Sequence, residues 1–187
     1  MFERTRQFKG LTIVMNTFDS ITDEMAYRAL EDLNDIEFNR LLEAQEKGLN
    51  LILNGPTSTG FAGMFHTVLD TLGQQIPVLR LTVFFGRIIM KGIVVHELVH
   101  FDQWQRGDMV IIPGDDQHVM WKGEKMPLSN RAGMAYLNQP WEMEAHRAQA
   151  AFQASVGRLS EEMHFSLMKL NHRFSDAVSS LKSRLKK

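Results

Sequence analysis

The most specific chemical signal in this chain is carried by three residues, His96, Glu97 and His100. Histidines four apart lie one turn above each other on an α-helix, so their imidazoles converge on one point. Such a pair chelates a metal ion. Glu97, turned roughly 100° from His96, stands beside the ion rather than beneath it, where a carboxylate can take a proton from water activated by zinc. The neighbouring Ile93, Val94, Val95, Leu98, Val99 and Phe101 are apolar, which marks the helix as buried. Two imidazoles and a carboxylate buried without partners would cost several kcal/mol, and a bound Zn2+ offsets that cost.

Two histidines alone hold zinc weakly; a catalytic site takes a third protein ligand and leaves the fourth position to water. The chain has no cysteine, and no third histidine follows closely on His100, where Phe101, Asp102, Gln103, Trp104 and Gln105 stand instead. That leaves a carboxylate on a later element. Glu142 and Glu144 follow Pro140 at what reads as a helix start, where the helix dipole also favours negative charge. Both are open as ligands on this ground.

The histidine helix, taken with Pro140, Trp141, Glu142, Met143, Glu144, Ala145 and His146, resembles the glutamate-type zincins (gluzincins), metallopeptidases with two histidines on one helix and a glutamate ligand on a later one. In several such families the second helix carries a glutamate three positions before an alanine, as Glu142 and Ala145 do here. Trp121, Lys122 and Gly123, between the two motifs, are similar to a hairpin element of small metallopeptidases of phages and bacteria. The resemblance covers roughly residues 90–155. It implies that His96, His100 and Glu142 bind zinc, that Glu97 is the general base, and that peptide bonds of a protein or peptide substrate are hydrolysed. It also implies a second donor to the developing oxyanion, Tyr136 or else His118, and a steadying contact to a ligand from His146. His146 stands where Asp or Asn is commoner, and the first half of the chain lies outside the resemblance. Helix phase agrees with Glu142: the two glutamates face about 200° apart, and the small residues Ala145 and Ala148 lie on the side of Glu142. The alternative is a metal-stabilised structural or regulatory interaction protein without general protease activity, for which a base beside the ion would have no use.

The elements that must position these residues follow from pattern. Leu11–Met15 predicts a strand, and the apolar period from about Thr22 to Lys47 predicts a long amphipathic helix with a break near Asn34. Leu49–Leu53 predicts a second strand. The loop Asn54–Gly60 has the glycine spacing of a phosphate-binding loop, but Phe61 stands where lysine is required, so it reads as a turn. Phe61 to about Gly73 reads as a second helix, and Pro77–Val83 as a third strand. Arg87–Met90 reads as a possible edge strand, with Gly92 turning into the histidine helix, which Gly107 ends. Met109–Ile112 and Gln117–Trp121 read as a hairpin, Lys122–Met134 as irregular, and Pro140 to about Val156 as a helix. A last amphipathic helix is expected over about 159–187. Together these predict a single α+β, zincin-like domain over residues 1–187, a small sheet packed with helices.

Composition sets the bounds. With 21 basic and 22 acidic residues in 187, the net charge is −1, so nothing calls for nucleic acid or another polyanion as partner. The closing cations Lys182, Arg184, Lys186 and Lys187 suit a helix C-terminus. The charged start of the chain matches neither a signal peptide nor a membrane anchor, and no run approaches the length of a spanning helix. The expected location is cytoplasmic. The 12 methionines read as adaptable core filling.

Overall fold

The computed structural model describes residues 3–16, 23–31, 33, 35–54, 63–82, 87–129, 133–156 and 169. It is a mixed α+β structure, and the chain falls into two compact units, Met1–Asp102 and Gln103–Lys187.

The first unit is built on a five-stranded sheet. Its strands are β1 (Glu3–Phe8), β2 (Leu11–Asn16), β3 (Asn50–Asn54), β4 (Gly63–Leu69) and β5 (Gln75–Thr82), in the order β1-β2-β3-β5-β4. The three central strands are parallel, and β1 and β4 are antiparallel edges. Parallel strands need long crossovers; the one from β2 to β3 carries helices α1 (Asp23–Glu31) and α2 (Asp35–Glu46). Leu11, Ile13 and Met15 alternate with Thr12 and Val14 and are fully buried, as are Leu53, Leu79 and Leu81 on the neighbouring strands. This alternation is the period-two signature of a sheet with one core face. Helix α3 (Arg87–Gln105) runs on from this unit into the next, and every residue from Gly92 to Phe101 is buried. Arg40 on α2 reaches both Glu37 and Asp102 of α3, at 3.3 Å each. Burial, the largest influence on Glu37, raises its pKa against the opposing pull of Arg40.

Two expectations for this unit are corrected. Phe61–Gly73 is not a helix: Gly63–Leu69 is the strand β4. Phe65, Val68, Leu69 and Leu72 do have helical spacing, but only Phe65 is buried and the other three are exposed. The turn decides the outcome. Asp70 Oδ1 accepts from the backbone N–H groups of Leu72 and Gln74, and Gly73 takes φ +77°, so the chain folds back into a hairpin with β5. Arg87–Met90 is not an edge strand but the first turn of α3, and Gly92 lies within that helix. The charged N-terminus holds β1, joined to β2 by Lys9 and Gly10 at φ +48° and +92°, the left-handed pair that two-residue hairpins favour. The long first helix does break, into α1 and α2, with Leu33 N–H donating to the Leu30 carbonyl. From Gly55 to Gly60 the loop with the glycine spacing of a phosphate-binding loop lies outside the described residues.

The second unit holds a three-stranded antiparallel sheet of β6 (Met109–Ile111), β7 (His118–Trp121) and β8 (Glu124–Pro127), with helices α4 (Met134–Leu137) and α5 (Pro140–Val156). The expected hairpin is β6–β7. The segment read as irregular contains β8, paired with β7 across a tight turn at Lys122 and Gly123, both at positive φ. Gly107, at φ +74°, closes α3 by donating to the Trp104 carbonyl. The helix expected over 159–187 lies outside the described residues apart from Lys169. Among the described residues no helix is long and apolar enough to cross a membrane.

Candidate functional site

His96 and His100 stand on the buried stretch of α3, their rings edge to face with centroids 4.8 Å apart. Their Nε2 atoms are 3.1 Å from each other. Ligand bonds of about 2.0–2.1 Å at a tetrahedral centre put donor atoms roughly 3.3–3.4 Å apart, so this separation suits two ligands of one ion. Without an ion it suits a hydrogen bond in which one ring donates. One ligand atom each from His96, His100 and Glu142 lies within 4.8 Å of the others, and all three side chains are buried. Two imidazoles and one carboxylate are a donor set that can hold a divalent metal ion.

Glu142 owes its position to the start of α5. The Gln139 carbonyl accepts from Met143 N–H, which makes Gln139 the cap, Pro140 the first helical residue and Glu142 the third. Proline fits there because that N–H has no partner in the helix, and a carboxylate in the first turn is stabilised by the dipole. Tertiary contacts fix the turn. Trp141 is buried with its ring tilted against Trp121, centroids 5.8 Å apart. Gln139 Nε2 donates to the Pro127 carbonyl at 3.0 Å, and Gln103 Nε2 to the Trp141 carbonyl at 3.1 Å. The place of Trp121 follows from these contacts. At the end of β7, held by the turn at Lys122 and Gly123, it braces the residue next to Glu142. Glu144 is engaged elsewhere, 3.1 Å from the guanidinium of Arg106. Asp108, the strongest influence, and Glu144 raise the pKa of Arg106 against its partial burial.

Glu97 is buried on α3, and its Oε2 accepts from the backbone N–H of Phe65 at 2.7 Å. Strand β4 can come that close only because residue 63 has no side chain. A methyl group there would run into Ile93 Cγ2 and stand 2.9 Å from Cγ and Oε1 of Glu97. Nothing in the sequence pattern revealed the support from Gly63 and Phe65, because their segment read as a helix.

Tyr136 on α4 sits edge to face with His146 of α5, centroids 6.1 Å apart, and His146 is buried one turn after Glu142. The His–His–Glu group does not include His146. His118, at the start of β7, is half-exposed with Nδ1 3.0 Å from the Asp115 carboxylate, which Lys125 also reaches at 2.9 Å. Hydrogen bonds from Lys125 first and His118 second hold the Asp115 carboxyl well below the usual carboxylate range. No family model, curated protein or solved structure matches the chain.

Proposed function

We propose that this chain is a zinc-dependent peptide hydrolase of zincin-like build, with His96, His100 and Glu142 as metal ligands and Glu97 as general base. The observation that carries the reading is the buried His–His–Glu group, with a further buried carboxylate on the same helix held in one orientation. When bound, the ion supplies Lewis acidity that lowers the pKa of water and polarises a carbonyl. Glu97 takes the proton of the attacking water and returns it to the leaving amine. The bond from Phe65 N–H fixes one carboxylate oxygen and with it the orientation of the group that makes that transfer. Tyr136, beside His146, is the favoured second donor to the oxyanion, ahead of His118, whose Nδ1 is taken up by Asp115.

Strand β4 suits an extended substrate. Backbone groups on an antiparallel strand point alternately toward and away from the partner. Asp70 N–H points to β5, where it meets the Gln74 carbonyl, and Phe65 N–H points away, toward Glu97. The backbone groups of Gly63, Phe65 and Thr67 therefore face the outer edge, where Glu97 already holds the N–H of Phe65. Among the described residues no strand pairs with that edge, and an extended peptide adds to such an edge by main-chain hydrogen bonds.

One observation favours a second reading, a metal-stabilised scaffold without hydrolysis: the bond from Phe65 N–H accounts for a buried Glu97 without any chemistry. Glu97→Gln separates the two readings, since the amide oxygen still accepts from Phe65 but the side chain cannot take a proton. A base predicts a zinc-loaded, normally melting variant whose peptide cleavage, read by mass spectrometry on a proteome-derived library, falls on the order of a hundredfold or more. Zinc-loaded wild-type protein that cuts nothing, or a variant that cuts as well, would remove Glu97 from catalysis.

A further inference from the structure

Among the described residues of α3, Gln103 is the one beyond the motif that is both polar and fully buried, at 0 % exposure. A buried amide left unpaired costs about 1–3 kcal/mol, whereas an apolar side chain at this position of an apolar helix would cost nothing of the kind. Its placement is specific. His96, His100 and Gln103 stand at i, i+4 and i+7, which puts all three in one stripe along α3. The amide at the end of that stripe donates to the carbonyl of Trp141, the residue immediately before Glu142.

The first turn of a helix is its least constrained part, because its leading N–H groups have no intrahelical acceptors. The direction of Glu142 therefore depends on what grips Gln139, Pro140 and Trp141 from outside α5. Gln139 is tied to β8 through the Pro127 carbonyl, and Trp141 leans on Trp121 of β7. Of these three grips, that of Gln103 alone comes from the helix that carries the two histidines.

We infer that Gln103 is a positioning residue for the third ligand: its bond to the Trp141 carbonyl sets the first turn of α5 in register with α3, so that the Glu142 carboxylate arrives already aimed at the ion. This rests on the reading of His96, His100 and Glu142 as metal ligands. Orientation supplied in advance strengthens binding because less freedom is lost when the ion enters. Removing outer contacts of this kind typically weakens metal binding 10–100-fold.

The test is zinc affinity, measured on the full chain by competition with a chromophoric chelator, with the visible spectrum of the cobalt-substituted protein as reporter of ligand number. Gln103→Met keeps length and apolar bulk but cannot donate; it is expected to weaken zinc binding about 10–100-fold and alter the cobalt spectrum. Gln103→Asn keeps an amide one methylene short of the carbonyl and should fall between, which also covers a Met variant that does not fold. A general loss of packing would weaken binding whether or not the third ligand is present. Through-ligand positioning instead predicts that Gln103→Met adds nothing in a Glu142→Ala background. Wild-type affinity in both Gln103 variants, or a full additive loss in the double variant, overturns the role of Gln103. Wild-type affinity in His96→Ala overturns the metal site itself, and the inference with it.

Discussion

Gly63→Ala tests the close approach of β4 to α3 with a single methyl group. Carbon atoms rest about 3.5–4.0 Å apart. The new methyl would overlap Ile93 Cγ2 and lie 2.9 Å from both Cγ and Oε1 of Glu97, so the strand or the helix must retreat by about 1 Å. Both neighbours belong to the buried stretch of α3, and neither can swing into solvent. Overpacking of this kind costs about 1–3 kcal/mol, which for a chain of this length is a fall in Tm of roughly 2–12 °C. The retreat should also stretch the bond between Phe65 N–H and Glu97, and on the proposed function peptide cleavage should then fall more than stability alone accounts for. Ile93→Leu removes the branch that the methyl strikes and keeps the side-chain volume. It should restore part of the stability in the Gly63→Ala background, and none of the part owed to the Glu97 contact. Thermal melting and urea midpoints of the four proteins read this directly. A Gly63→Ala protein that melts with the wild type would refute the close approach, and with it the account of how Glu97 is held.

On the proposed reading the two glutamates are expected to separate cleanly: Glu142→Ala should abolish tight zinc binding and Glu144→Ala should leave a zinc-loaded protein, as metal analysis after dialysis will show. Chelation should lower the melting temperature and added zinc restore it, because an ion held by the folded state alone adds about 4 kcal/mol at a thousand times its Kd; an unchanged melting curve would argue against a site formed by folding. Asp115, whose pKa is depressed, adds stability that is present above its ordinary value of 3.8 and is lost as pH falls through the depressed one. Lys125→Met removes the strongest cause of that depression, so its urea midpoint should fall less steeply than that of the wild type below about pH 4; parallel acid limbs would count against the Lys125–Asp115 pair.

Elements whose local pattern and tertiary setting agree were legible from the residues alone. Strands β2, β3 and β5 are apolar runs buried in a sheet, and α3 and α5 are bounded by Gly107 and Pro140, whose backbone chemistry permits little else. The reading of Phe61–Gly73 as a helix fails where turn chemistry outweighs apolar spacing. Phe65, Val68, Leu69 and Leu72 imitate a helical stripe, yet an edge strand needs only one buried side chain, and Asp70 with Gly73 makes the hairpin. Strands β1 and β8 escaped because they are short and polar. Both are announced by the same dipeptide, Lys9–Gly10 and Lys122–Gly123, in the positive-φ geometry of tight hairpins.

The candidate ligands were legible in part from helix geometry, and Glu142 was favoured over Glu144 by resemblance as well as by helix phase. A spacing of four superposes His96 and His100, and a spacing of two sets Glu142 and Glu144 on opposing faces, so that choosing one excludes the other. The structure adds the reason for the excluded one: Glu144 lies beside Arg106, in a charged cluster with Asp108, while Glu142 is buried with the histidines. What periodicity does not carry is the support. Gly63 and Phe65 reach Glu97 from a strand more than thirty residues away in sequence, and Gln103 reaches Trp141 across a gap of 38. Such contacts depend on backbone groups, which have no residue type to recognise. The two histidines can therefore be written in five residues, whereas the contacts that hold Glu97 and the first turn of α5 are distributed over β4, β7 and the far end of α3. It follows that variants at Gly63, Trp121 or Gln103 should change how well the proposed site works although His96, His100 and Glu142 are all still present in the chain.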